Sequence, residues 1–196
     1  MSHMSQARRV TQMSTLVLAT TWIAAISSIP SARRYQQQLD QGVAAKDIAT
    51  WFSTLSILMT VASIGAWFAT ISWMGHRYDE NVERVPGSMR LSRRWIIWSW
   101  LLPIVSLWYP KVLIEDLLKS SKSASDIAGQ PDKEPVNVRL WWATWVAYTI
   151  ISNLMTVQLL VLPEDKVPFQ PSYEIASACI LTASYSLWIN IVRNIG

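Results

Sequence analysis

The sequence predicts an all-α polytopic membrane protein: four transmembrane helices, a tryptophan-rich re-entrant or interfacial hairpin between the second and third, and a short amphipathic helix after it. Three observations lead there. Hydrophobic residues make up 51% of 196 residues and charged residues only 15%, with a mean hydropathy of +0.21. Four runs, residues 11–29, 48–74, 140–162 and 175–192, contain no Asp, Glu, Lys or Arg, and a helix needs roughly 20 apolar residues to cross the hydrocarbon core. A fifth apolar stretch, Trp95 to Tyr109, has 15 residues, too few to cross. The four runs and their connections leave no room for a soluble domain, so residues 1–196 read as a single membrane domain.

Arg8 and Arg9 precede the first run. Pro30 stands where a leader-peptide cleavage site wants a small residue, so the run reads as an uncleaved signal anchor. Residues 30–47 are then an external loop. The second run has length to spare for tilt.

The topology turns on the short stretch. Pro103 interrupts it, and Pro110 closes it directly after Trp108 and Tyr109. If it crossed the bilayer, the 17 Lys and Arg would divide almost evenly between the two sides. If it enters and leaves by one face, only Arg33, Arg34, Lys46 and Lys166 of the 17 lie on the far side. The positive-inside rule selects the second arrangement, with both termini and the hairpin cytoplasmic.

Over residues 110–122, helical spacing sets Leu113, Ile114, Leu117 and Leu118 on one side and Lys111, Glu115, Lys119 and Lys122 on the other. This predicts an amphipathic helix at the interface. Pro110 suits its first turn, where a missing N–H costs nothing. Residues 123–137 are polar and rich in linker residues, and read as a mobile connection. The second external loop, residues 163–174, carries Pro163, Pro168 and Pro171 and reads as a stiff connector.

Chemistry is scarce. The histidines are His3 and His76, and the one cysteine, Cys179, lies inside the last run, so no metal or cofactor site is expected. None of the four runs holds an ionisable carboxylate, Lys or Arg for an ion pathway. Glu115 and Asp116 are neighbours in sequence, point to different helix faces, and read as surface charges. No nucleophile with a base in reach and no glycine-rich phosphate loop stands out. A sequence pI near 9.4 points to an anionic leaflet rather than nucleic acid.

Nine of the 12 tryptophans, Trp95, Trp98, Trp108, Trp141 and Trp142 among them, fall near the expected cytoplasmic boundary. Indole favours the headgroup layer, so this belt first of all anchors. A sharper expectation is an anionic-lipid headgroup site built from Arg90, Arg93, Arg94, Trp95 and Trp98, together with Arg139, Trp141 and Trp142, because guanidinium forks match phosphate. Small residues at helical spacing (Thr20, Ala24 and Ser28; Ala62, Gly65, Ala66 and Ala69; Ala178, Thr182 and Ser186) allow close helix approach, within the chain or against a partner.

The set Trp95, Trp98, Trp100, Pro103, Leu107, Trp108, Pro110, Glu115 and Asp116, followed by Trp141 and Trp142, resembles an actinobacterial membrane-protein family known as domain of unknown function 4328. The resemblance spans about residues 48–162, with Ser106 where the family has Asn. It implies a four-helix domain in a bacterial inner membrane and no particular activity. Together these readings lead to the expectation of a non-catalytic membrane protein, an accessory or assembly subunit of a larger complex such as a respiratory assembly. The alternative is a lipid- or amphiphile-binding protein using the Arg/Trp headgroup site. Its partners would be anionic lipids and other membrane subunits or copies of itself.

Overall fold

A computed structural model describes residues 3–43, 51–102, 104–127, 136–161 and 171–195. They form six helices: α1 (His3–Asp40), α2 (Trp51–Arg84), α3 (Trp95–Leu101), α4 (Tyr109–Ile127), α5 (Val138–Val161) and α6 (Pro171–Ile195), with a 3-10 turn at Val105–Leu107. Among the described residues there is no strand. Three segments, Gln6–Asp40, Ile57–Arg84 and Pro171–Ile195, are long and apolar enough to cross a membrane. The 24-residue α5 coincides with the third expected run.

The loop expected from Pro30 does not begin there. Helix α1 runs through that proline to Asp40. Proline in a helix interior loses one bond and crowds the preceding turn, but neighbouring hydroxyls ease this in apolar helices. Here Ser27, Ser28 and Ser31 donate to the carbonyls of Ala24, Ala25 and Ser27 at 2.6–2.9 Å, and the Arg- and Gln-rich sequence beyond favours helix. At 1.5 Å per residue the 38 residues of α1 span about 57 Å. Gly42, at φ +81°, then ends the helix: its N–H bonds Leu39 O at 2.9 Å and that of Val43 bonds Gln38 O at 3.0 Å. This pair of bonds is the Schellman arrangement, which needs a residue in the left-handed region.

Helix α2 likewise outruns the expected 48–74, continuing to Arg84 through a polar segment in which Arg77 and Glu80 pair at 3.0 Å. Helix α4 takes residues 123–127 out of the expected linker. The rest of that linker to residue 135, residues 163–170 of the expected second connector and Pro103 lie outside the described residues, and residues 171–174 of that connector are helical. Asn137 caps α5 by accepting from Leu140 N–H at 2.9 Å. Pro171 opens α6 and Glu174 sits in its first turn, favourable chemistry at a helix start.

The long helices form an arc. Helix α1 packs between α2 and α6, and α6 packs in turn against α5. Small buried residues make these approaches possible: Ser14, Thr21, Ala24, Ala25 and Ser28 on α1, Ala62 and Ala66 on α2, and Ala178 on α6. Part of the small-residue pattern thus serves packing inside the chain. Trp22 Nε1 also donates to Thr182 Oγ1 at 2.9 Å, tying α1 to α6.

The main core sits at one end of this arc. Val10 near the start of α1, Trp73 and Met74 of α2, Val138 and Trp141 of α5, and Trp188 to Ile195 of α6 meet there. Across that end lies α4, with Leu113, Ile114 and Leu117 at most 1% exposed. Its apolar side therefore packs on protein, where the sequence suggested an interface-lying helix. Burying a Leu or Ile side chain contributes roughly 1.5–3 kcal/mol, so three of them hold α4 firmly.

Candidate functional site

The expected headgroup residues gather at the α4 end of the arc, but they do different jobs. The link from α2 to α3 bends at Gly87, at φ +82°, and Tyr78 Oη donates to Leu91 O at 2.9 Å. This brings Arg90 onto α4. Its backbone N–H and Nε donate to the two carboxylate oxygens of Asp116 at 3.0 and 2.7 Å, and a terminal nitrogen reaches Glu115 at 3.3 Å. Asp116 is 2% exposed: it is a buried anchor rather than the surface charge suggested by its position beside Glu115.

Arg93 is engaged as well. It forms a two-pronged bond with Asp79 on the polar extension of α2, at 2.7 and 3.0 Å. The hydrogen bond and charge of Asp79 hold the Arg93 guanidinium above the ordinary arginine pKa. For Arg90, partial desolvation pulls downward, but the bonds and charges of Asp116 and then Glu115 outweigh it and leave the pKa raised. Both guanidiniums already face carboxylates, so the fork geometry suited to phosphate is used inside the protein.

The tryptophans divide in the same way. Trp141 is 2% exposed and packs on Trp188 at 5.5 Å, with Trp73 edge-on to Trp188 at 5.7 Å. Trp95 meets Tyr109 edge-on at 4.6 Å across the base of the hairpin. Trp142 donates from Nε1 to Leu107 O at 2.7 Å, and Lys111 Nζ lies 5.2 Å from its ring centre. That contact fixes the 3-10 turn against α5. Leu102 has φ −88° and ψ 115°, the extended conformation that a following proline demands. It ends α3 and starts the reversal. Pro110, fully buried, lies in the first turn of α4.

The hairpin turns an apolar surface outward. Ile97, Trp98, Leu101, Ile104 and Trp108 are 46–79% exposed. Arg94 at the start of α3 and Arg139 at the start of α5 are exposed too. Arg139 shares the wall of a shallow groove of about 700 Å³ with Lys119, Glu115 and Asn137. Sequence reading placed Lys119 only on the polar side of α4. Its meeting with Arg139 depends on how α4 crosses α5, which no local pattern records. Among the described residues, no group of three or more His, Cys, Asp or Glu is placed to hold a metal ion.

These features define an all-helical protein with spanning-length helices whose short tryptophan hairpin is bolted to one end by arginine–carboxylate pairs. Its residues 36–192 match the family described as domain of unknown function (DUF4328), and the chain belongs to that family. No curated protein and no solved structure matches it.

Proposed function

We propose that this is a non-catalytic, four-span protein of a bacterial inner membrane that works by binding lipid at the cytoplasmic leaflet, with both termini on that side. The observation carrying this reading is the outward apolar face of the hairpin, Ile97, Trp98, Leu101, Ile104 and Trp108; Lys119 and Arg139 line a separate groove where α4 meets α5. Such a face is costly in water and favourable among acyl chains just below the headgroups. With Arg90 and Arg93 paired internally, the headgroup contacts fall to Lys119 and Arg139, while Glu115 is met by Arg90 and Lys111. Near an anionic leaflet each such cation contributes about 1 kcal/mol.

A lysine–arginine pair across a groove suits a phosphate. The test is mild-detergent purification followed by mass spectrometry of retained lipids. Enrichment of one anionic lipid that is lost in Lys119→Ala/Arg139→Ala supports the reading, and unchanged lipid content in that variant refutes it.

The accessory-subunit reading is favoured by a second observation. Helices α2 and α5 end the arc, and α2 presents Ile57, Val61, Ile64 and Phe68 outward at 51–64% exposure. A partner's helix could cover that face as readily as lipid can. Stoichiometric membrane proteins in the same purification would support it, and a lone chain would count against it.

A further inference from the structure

Between the ends of the arc lies a cavity of about 300 Å³, set under the hairpin, with Trp100 of α3 in its wall. None of its lining residues is Asp, Glu, Lys, Arg or His. Two packing levels show how it runs. Val10 shares the main core with Trp73 and Trp188, whereas Val17 shares a second core with Ala66 and Leu181. A step from 10 to 17 on α1 thus matches steps from 73 to 66 on α2 and from 188 to 181 on α6, so α2 and α6 run in parallel. The cavity extends from the Trp188 level to the Leu181 level, about 10 Å along the helix axes. Val17, Ala66 and Leu181 make its far end apolar. Ser63 on α2, at the rim, is exposed, so the cavity opens between α2 and α5.

Three hydroxyls in this wall are unused. Elsewhere in these helices Thr side chains bond back to a carbonyl one turn earlier, as Thr21 does to Val17 O at 2.8 Å and Thr182 to Ala178 O at 2.7 Å. Thr70, Ser184 and Tyr185 make no side-chain hydrogen bond among the described residues. Thr70 and Ser184 are only 9% and 3% exposed, yet their oxygens are not sealed as the Trp100 indole nitrogen is. The free hydroxyls therefore reach the cavity that these residues line. Thr70 lies one turn from Trp73, and Tyr185 one turn from Trp188, and those two tryptophan rings meet at 5.7 Å. The three residues thus share one level, close to the hairpin end, while the Tyr148 hydroxyl is already bonded to Ser152.

We propose that this cavity binds a neutral lipid by a free hydroxyl head, which bonds Thr70, Ser184 and Tyr185 while its chain lies over Val17, Ala66 and Leu181 and leaves between α2 and α5. A hydroxyl donates once and accepts twice, so one head can serve three hydroxyls, each able to donate or accept. The absence of charge in the lining excludes a phosphate or carboxylate head, which would be desolvated without a counter-ion. An apolar chain alone would leave the three hydroxyls unmet. A polar end and an apolar end in one uncharged cavity match an amphiphile lying along the helices, its head toward the hairpin. Two sources share this chemistry: a diacylglycerol and a polyprenol. The site is separate from the Lys119–Arg139 groove and rests on the membrane reading only for the route of entry.

The test uses the full chain in nanodiscs, titrated with dioleoylglycerol or farnesol and followed through tryptophan emission. Saturable binding is expected, and the tighter probe identifies the source. Thr70→Val/Ser184→Ala removes two hydroxyls that bond nothing in the free protein, so thermal unfolding should hold or rise while binding weakens roughly tenfold. The methyl ether of the tighter probe, which cannot donate, should bind roughly fivefold more weakly or worse. Lys119→Ala/Arg139→Ala should leave binding unchanged, so the two lipid readings fail separately. A signal that never saturates for either probe, as for a cavity holding water alone, or saturable binding that the double hydroxyl variant or the methyl ether leaves unchanged, would overturn the proposal.

Discussion

Removing Arg90 should destabilise the protein more than removing its partner Asp116, although both break the same pair. The two ends of the bond differ in exposure: the Arg90 side chain is 52% exposed and that of Asp116 only 3%. In Asp116→Ala the guanidinium turns to water and retains Glu115, so the loss is one charge-assisted bond, discounted for screening, plus a backbone N–H bond, together about 1–2 kcal/mol. In Arg90→Ala a buried carboxylate loses its cation. Breaking a buried pair this way costs roughly 3–5 kcal/mol, reduced here because the residue-90 backbone N–H still donates at 3.0 Å, which leaves about 2–4 kcal/mol. The double variant Arg90→Ala/Asp116→Ala should then be more stable than Arg90→Ala alone. Unfolding in mixed micelles, followed by tryptophan emission, reads all three. Equal losses for the two single variants, or a double variant less stable than Arg90→Ala, would refute the claim that Asp116 is a buried anchor requiring a counter-ion.

Three further outcomes follow from other contacts. Trp142→Phe keeps the ring but loses the 2.7 Å bond to Leu107 O; it should cost about 1 kcal/mol and speed proteolysis between residues 102 and 109. Gly42→Ala meets no atom within 4 Å, so its expected cost of about 1–2 kcal/mol is conformational, from the positive φ; a calorimetric loss well outside that range would point to an unrecognised contact. Ala178→Leu places three extra carbons at a fully buried helix contact and should cost about 1–3 kcal/mol through overpacking, whereas the same change at exposed Ala183 should be near neutral; thermal shifts of the purified variants compare the two.

Much of this architecture could be read from the chain because charge-free runs and prolines act locally. The third and fourth runs map onto α5 and α6, and the short Trp95–Tyr109 stretch does break where Leu102 precedes a proline. Helix ends were harder. Pro30 looks like a stop, but hydroxyl-rich neighbours and a helix-favouring tail carry α1 past it. The site was legible as a gathering of residues and not as a set of roles. Arg90, Arg93 and Trp141 were grouped with the headgroup contacts by residue type, yet their partners lie 26, 14 and 47 positions away, at Asp116, Asp79 and Trp188. One clue was present: Asp116 shares a helix face with Leu113, Leu117 and Ser120, all buried. A carboxylate on that face required a cation from elsewhere, and Arg90 supplies it.

The central claim is that the hairpin enters and leaves the bilayer on the side that holds both termini. Single cysteines in a Cys179→Ser background, at exposed Ser92 before the hairpin and exposed Ser123 after it, test this with a membrane-impermeant maleimide. The account predicts that neither site reacts in intact cells and that both react in inverted vesicles. Labelling of Ser123→Cys from outside with Ser92→Cys protected would mean that the stretch between them crosses the membrane, and would contradict it.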